Sequence, residues 1–177
     1  MSILRYVMVA CLTLMVFSKA AHAAGYVDNL DVRPDIGYGY AASKDGKRGM
    51  GYHAGVRILS AVRSISNPTP DKRWGLEISS VAPFESKGAL KHEKYTAVGI
   101  VLEQVLPARI VATIGTIGYR GVDQNKSNPF GVIYGFAWEP QITGKMRFSA
   151  GLRAETIYDT STISRYSLTA GLTFTVF

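Results

Sequence analysis

Apolar residues recur at every second position along most of this chain. From residue 35 to the last residue, apolar side chains alternate with small or polar ones, and helical spacing of apolar residues is almost absent. Since successive side chains of a β-strand point to opposite faces, this period predicts strands. Each segment reaches the roughly nine residues that a tilted strand needs to cross a bilayer. Eight strands are predicted: Asp35–Ser43, Met50–Ala61, Arg73–Ala82, Lys94–Leu106, Arg109–Arg120, Phe130–Glu139, Lys145–Tyr158 and Ile163–Phe177.

The two faces of these strands differ in chemistry. Even-numbered positions carry the apolar side chains in most segments, whereas odd-numbered positions hold glycine, serine, threonine and ionisable groups, including His53. In an ordinary hydrophobic core so many charges would each cost several kcal/mol, but in a small barrel with a polar interior they can pair with one another. The expected interior ion-pair network comprises Asp35, Arg57, Glu77, Glu139, Arg147, Arg153, Glu155 and Arg165. We expect the interleaved glycines, such as Gly75 and Gly151, to leave room for the long arginine side chains.

The fourth and fifth segments alternate less clearly, because apolar residues such as Val98 and Val101 occupy both parities. Glu103 fits the odd, inward face. Arg120 falls on the even face, and we expect it at a strand end, where its guanidinium can reach lipid headgroups.

The first 23 residues have the layout of a cleavable export signal. Arg5 supplies a positive start, Tyr6 to Phe17 form an apolar run too short to span a bilayer as a helix, and Ala21-His22-Ala23 offers a small-x-small cleavage site. Cleavage after Ala23 removes Cys11, the only cysteine, so no disulfide or thiol chemistry is expected. The expected organisation is a signal peptide at 1–23, a periplasmic N-terminal segment at 24–34, which is either a tail or a plug strand, and a barrel at 35–177.

Charge narrows the possible partners. The formal net charge of the chain is +7, and removal of Arg5 and Lys19 with the signal peptide lowers it to +5. The sequence has no long Lys/Arg run, no phosphate-binding glycine loop and no metal-spaced Cys/His cluster. We therefore expect neither nucleic-acid binding nor a cofactor or metal, and an exported basic protein meets anionic lipid instead.

The connections between strands predict an orientation, because outer-membrane barrels place short turns on the periplasmic side. Tight turns are expected at Leu106–Arg109 and Pro140–Gly144, and the longer segment Arg63–Lys72 should lie on the same side. The opposite loops are basic, and their side chains could neutralise lipopolysaccharide phosphates. The predicted contact residues are Lys44, Lys47, Arg48, Lys87, Lys91 and Lys126.

With its export signal, eight amphipathic strands, charged interior and terminal aromatic residue, the chain resembles the small eight-stranded outer-membrane barrels. The resemblance covers the whole mature chain but is architectural, and no motif of a single family is matched. It implies an all-β, antiparallel, up-and-down transmembrane barrel in the cell outer membrane of a Gram-negative bacterium. It also implies that Phe177 is the end read by the barrel assembly machinery, although Thr173 and Thr175, not the apolar residues, share its parity.

Three functional hypotheses follow. The first is a non-enzymatic barrel that stabilises the membrane or binds lipopolysaccharide or another surface partner. The second is a lipid A-modifying enzyme of the acyl hydrolase type, for which His92 with Ser86 and Glu93 is the candidate site, although the His-x-Ser that lipid A 3-O-deacylases carry near their last strands is missing here. The third is a soluble periplasmic β-barrel or sandwich carrier, in which the charged face points outward.

Overall fold

The structure of the protein is a computed structural model that describes residues 29–44, 46, 48–64, 67–83, 95–121, 129–158 and 162–176. The predicted signal peptide and Phe177 lie outside these residues. No helix in the described segments is long and apolar enough to cross a membrane. The elements are β1 Asn29–Ser43, β2 Arg48–Ser64, β3 Asn67–Pro83, β4 Tyr95–Leu106, a 3₁₀ turn Pro107–Arg109, β5 Ile110–Gly121, β6 Phe130–Trp138, β7 Gln141–Thr143, β8 Met146–Tyr158 and β9 Thr162–Thr175.

The strands form a closed antiparallel ring. Each long strand pairs with its neighbour in the chain, and β1 also pairs with β9, which closes the barrel. The short β7 continues β6, since both pair with β8 and only Glu139 and Pro140 separate them. The ring therefore has eight strands, and the predicted eight-stranded antiparallel barrel is confirmed.

The barrel has two different ends. The connections after β2, β4 and β7 are short, and we call the end of the barrel that carries them the turn end. The connections after β1, β3, β5 and β8 lie at the other end, which we call the loop end. At the turn end, Ala108 and Arg109 both have a φ of 59°, which closes the β4–β5 hairpin tightly without a glycine.

The register sets the stagger of the ring. Directly paired residues, followed once around the barrel, lead from Val32 back to Ala42 on the same strand, so the shear number is 42 − 32 = 10. Such a barrel tilts its strands by about 40° and has an interior just wide enough to be filled by side chains. The row of paired residues is Val32, Ile58, Leu76, Ile100, Thr116, Val132, Thr156, Ser164 and Ala42.

Residue parity decides which face each side chain occupies. The eight ladders of the ring pair even-numbered residues with even-numbered ones, apart from the irregular pair of Ser64 and Asn67 at the end of the β2–β3 ladder, so one parity faces outward around the whole ring. All the exposed large hydrophobic residues that the structure describes are even-numbered, with Leu168 at 70% exposure, and all the buried charged residues are odd-numbered. Leu30 and Ile58 are even-numbered but buried. The charged face thus points inward, which contradicts the carrier hypothesis.

Aromatic side chains lie on the outer wall near both ends. Near the loop end, Tyr40 is directly paired with Tyr166, and the rings of Phe130 and Tyr158 stack with centroids 5.0 Å apart. Near the turn end, the exposed aromatic residues are Trp74, Trp138, Phe148 and Phe174. Exposed aliphatic side chains fill the band between them, as in the lipid-facing belts of membrane barrels.

The first strand starts earlier than expected. It begins at Asn29, so residues 29–34 belong to the barrel and not to a separate periplasmic segment. Pro34 has no backbone N–H to donate to a ladder, and proline is rare inside strands. In the structure Pro34 is exposed on the outer wall, and the strand alternates through it.

The predicted long turn at Arg63–Lys72 is also wrong. β2 continues to Ser64 and β3 begins at Asn67, and these two residues are paired. Prolines in this stretch suggested a loop, but both strands extend into it: the regular ladder ends at Val62 and Lys72, and after a register shift the strands pair once more at Ser64 and Asn67. The connection is therefore short, like the others at the turn end.

Glycines on the inner face serve a different purpose from the one expected. A Cβ atom on Gly75 would lie 1.8 Å from the Ile58 carbonyl oxygen, and one on Gly151 would lie 2.2 Å from the Phe136 carbonyl oxygen. At these positions the close approach of the neighbouring strand excludes a side chain, and room for arginine is not the reason.

Candidate functional site: the charged interior and the loop end

Thirteen side chains inside the barrel form one connected set of ion pairs, which we call the interior network. Among the described residues it contains six arginines, six carboxylates and one histidine, so its formal charge is zero when the histidine is neutral. Seven of the eight barrel strands contribute to it. Its members are Asp31, Arg33, Asp35, His53, Arg57, Arg73, Glu77, Glu103, Glu139, Arg147, Arg153, Glu155 and Arg165.

Two arginines share their carboxylates at the turn end. Arg33 on β1 pairs with both Glu103 and Glu139, which lie on other strands of the ring. Arg73 lies 2.8 Å from Glu103, 3.0 Å from Glu139 and 3.3 Å from Asp31. Since β1, β3, β4 and the β6–β7 junction all meet here, these pairs connect strands that are far apart in the ring.

Glu77 is the centre of the middle part of the network. Its carboxylate is fully buried and lies 2.7 Å from Arg57 Nε and 2.6 Å from Arg153 Nη2. Arg153 also pairs with Glu155, and Arg57 Nη1 donates to Glu103 at 3.1 Å. Arg57 therefore connects the middle part of the interior network to the ion pairs at the turn end.

His53 faces the interior, as the sequence indicated. It is buried, and its Nε2 lies 3.3 Å from the Asp35 carboxylate, which is also 3.6 Å from Arg57. The imidazole of His53 is thus enclosed by the barrel wall and has no contact with the outer surface of the barrel.

An apolar layer closes the interior towards the loop end. Tyr95 and Tyr119 pack edge to face with ring centroids 5.9 Å apart, and the Tyr119 hydroxyl donates to Glu155 at 3.4 Å. The irregular alternation of the fourth and fifth predicted strands has its explanation here, since β4 and β5 are apolar on both faces. Besides the two tyrosines, the layer contains Val81, Ala97, Ile117, Ile157 and Ile163.

All eight residues expected in the interior network lie in it. Sequence reasoning placed His53 and Glu103 on the inner face without adding them to the network, and it missed Asp31, Arg33 and Arg73. Asp31 and Arg33 were assigned to a periplasmic segment, and Arg73 was assigned to the start of a strand. Their odd numbers, in phase with Asp35, were the signal that identifies them.

Two cavities lie among the interior side chains that the structure describes. A cavity of about 20 Å³, the size of a water molecule, lies beside Arg57 and Arg153, and a larger one of about 160 Å³ opens at the turn end beside Arg73 and Arg147. Within the described segments, no group of three or more His, Cys, Asp or Glu side chains could hold a metal ion. The candidate triad of Ser86, His92 and Glu93 lies outside the described residues.

Basic residues are exposed at the loop end. Lys44 and Arg48 flank the β1–β2 connection, and Arg120 is exposed next to the last residue of β5, the strand end at which we expected it. The other predicted lipopolysaccharide contacts, Lys47, Lys87, Lys91 and Lys126, lie outside the described residues.

Comparison with known structures identifies the fold. The crystal structure of Neisserial surface protein A superimposes with a TM-score of 0.56 at 16% sequence identity, covering 82% of this chain and 96% of that one. A de novo designed transmembrane β-barrel has a TM-score of 0.44 at 12% identity, covering 84% of this chain and 95% of that one. No protein-family model and no curated protein matches the sequence. The chain therefore has the fold of the small eight-stranded outer-membrane barrels, as the resemblance implied.

Replacing Glu77 with glutamine should destabilise the barrel strongly. The substitution leaves Arg57 and Arg153 short of a buried carboxylate, and removing one partner of a buried ion pair costs about 3–5 kcal/mol. The double variant Glu77→Gln/Arg153→Met restores neutrality and should lose less than the sum of its two single variants. The measurement is the free energy of unfolding in urea with the protein in lipid vesicles.

Ser167→Ala is the matched control, because Ser167 is buried on the same inner face but carries no charge. It should change the free energy of unfolding by less than about 1 kcal/mol. A small effect of Glu77→Gln, or a double variant as unstable as the sum of the single variants, would show that charge balance does not stabilise the barrel.

Proposed function

We propose that this chain is a non-conducting barrel of the outer membrane of a Gram-negative bacterium, with a structural interior and a binding surface at the loop end. The continuous wall of exposed apolar side chains supports a bilayer environment, because such a surface is unfavourable in water. The export signal predicted at the N-terminus supports delivery to the periplasm, from which the barrel assembly machinery inserts such proteins. The short connections would then face the periplasm and the loops the outside.

The ion-paired interior is the observation that carries the non-conducting role. A permeating ion would have to separate arginine–carboxylate pairs such as Arg57–Glu77 and then pass the apolar side chains around Tyr119. Breaking a buried pair is strongly unfavourable, and an apolar constriction excludes hydrated ions. The geometry therefore favours a structural interior over a transport pathway.

Folded protein reconstituted into planar bilayers should show no steady steps of ionic current. A boiling-dependent shift of the same preparation on a gel shows that the barrel is folded, since every strand in a closed ring is hydrogen-bonded. Discrete, long-lived conductance steps from the folded fraction would contradict the proposal.

The binding partner at the loop end would be lipopolysaccharide. Lys44 and Arg48 are exposed on one hairpin, and Arg120 is exposed on the outer wall close to the same end. Lysine and arginine form charge-assisted hydrogen bonds with phosphate, and each basic residue close to an anionic membrane surface contributes about 1 kcal/mol. In the sequence, the connections after β1, β3 and β5 also contain Lys47, Lys87, Lys91 and Lys126, which add positive charge.

Removing two of these charges should weaken binding of lipopolysaccharide. Lys44→Gln/Arg48→Gln is expected to lose about 2 kcal/mol, which is roughly thirtyfold in affinity, as measured by titration calorimetry in detergent. Arg109→Gln is the matched control, because Arg109 is exposed at the opposite end of the barrel. Equal affinities for all three proteins, or unchanged binding of dephosphorylated lipopolysaccharide, would refute a phosphate contact at this hairpin.

A further inference from the structure

The outer wall carries an apolar groove near the turn end, between β3, β4 and β5. It has a volume of about 370 Å³, and nearly all of its surface is hydrocarbon. It lies on the lipid-facing wall, apart from the loop end and the interior network. We call it the turn-end groove, and its outward-facing side chains are Lys72, Trp74, Leu102, Gln104, Ala112 and Ile114.

A small residue between large ones forms this groove. Ala112 is directly paired with Gln104 on one side and with Phe136 on the other. Leu102 is paired with Trp74 and Ile114, and all three are about half exposed. The alanine therefore forms a floor, and the larger side chains form walls that can contact a flexible hydrocarbon chain along its length.

A positive charge lies at the turn-end edge of the groove. Lys72 is exposed and directly paired with Gln104, two residues before Trp74 on the same strand. The neighbouring Asp71 has the opposite parity to Lys72 and is half-buried, and its carboxylate accepts a hydrogen bond from the Gln104 amide at 3.0 Å. Lys72 and Trp74 both line the groove, and indole rings favour the membrane interface, where an exposed ammonium can meet a lipid headgroup.

We propose that the turn-end groove binds one acyl chain of an anionic phospholipid, whose phosphate pairs with Lys72. The inference rests on the proposed membrane location, in which the turn end lies in the periplasmic leaflet. Charge complementarity at Lys72 and the apolar walls on either side of Ala112 select a lipid with a single negative headgroup over a zwitterionic one. The barrel would then keep one phospholipid bound at a defined place on its wall.

Tryptophan fluorescence tests this directly, since the chain has two tryptophans, Trp74 in the groove and Trp138 on the wall outside it. Trp138→Phe leaves Trp74 as the reporter, and Trp74→Phe leaves Trp138. Each protein is inserted into phosphatidylcholine vesicles that contain a minor fraction of acyl-brominated phosphatidylglycerol or, separately, acyl-brominated phosphatidylcholine. Trp74 should report about fivefold enrichment of the brominated phosphatidylglycerol, the effect of one lysine near an anionic lipid, whereas Trp138 should be quenched equally by both lipids.

Two substitutions in the Trp74-only protein separate chain binding from headgroup binding. Ala112→Leu fills the floor of the groove and should abolish the enrichment, whereas Ala150→Leu, at another outward-facing alanine on β8, should leave it unchanged. Lys72→Gln should remove the preference for phosphatidylglycerol over phosphatidylcholine.

Other outcomes would overturn the proposal in distinguishable ways. Equal quenching of Trp74 by both lipids means that the groove has no specific occupant. Quenching of Trp74 that is weaker than that of Trp138, and that increases when the protein is diluted in lipid, means that a second copy of the chain covers the groove. Absence of quenching at both tryptophans means that the barrel is not in the bilayer, which refutes the proposed location as well.

Discussion

Charge neutrality inside a closed ring is the constraint on which this structure depends. Six arginines and six carboxylates lie within a barrel whose outer wall is apolar, and water can reach few of them. An unpaired charge in such a place costs several kcal/mol, so each guanidinium needs a carboxylate at a fixed position. Those positions exist only when all eight strands are paired, because Arg33 on β1 meets Glu139 at the junction of β6 and β7. Closure of the ring is therefore required for neutralisation of its interior.

The register of the strands satisfies this constraint. A slip of one residue in any ladder would move arginines to the outer wall and leucines to the interior. At the turn end the regular β2–β3 ladder pairs Val62 with Lys72 and the β4–β5 ladder pairs Leu106 with Ile110, so both keep parity, and the register irregularity at Ser64 and Asn67 lies beyond the regular β2–β3 ladder. The outer wall thus stays apolar around the ring, and a shear number of 10 brings side chains from distant strands into contact.

Much of this architecture could be predicted from residue parity. Trp138 and Leu168 belong to the lipid face and Glu77 and Arg153 to the interior because each alternates in phase with its neighbours. Two strand ends could not be predicted, because Pro34 and the prolines before Asp71 are ordinary signs of a loop, whereas the strands extend through them.

The pairing inside the barrel was beyond sequence reasoning for a different reason. Which carboxylate meets Arg73 depends on the stagger of the ring, and no local pattern encodes that stagger. The apolar layer around Tyr95 and Tyr119 was hidden because β4 and β5 are apolar on both faces, so alternation gives no contrast there. A binding partner at the loop end depends on how the basic residues of its connections are arranged in space, and the sequence shows which residues are basic but not their arrangement.

The central claim is that even positions face lipid and odd positions face a packed interior, and spin labels on adjacent residues of β9 test it most directly. Single cysteines at Leu168, Thr169 and Ala170 can each be labelled, since the only natural cysteine, Cys11, lies in the predicted signal peptide. In lipid vesicles, the collision rate with dissolved oxygen should be high at 168 and 170 and low at 169. A rate at 169 that equals or exceeds those of its neighbours would contradict the assignment of the two faces and, with it, the account of the interior.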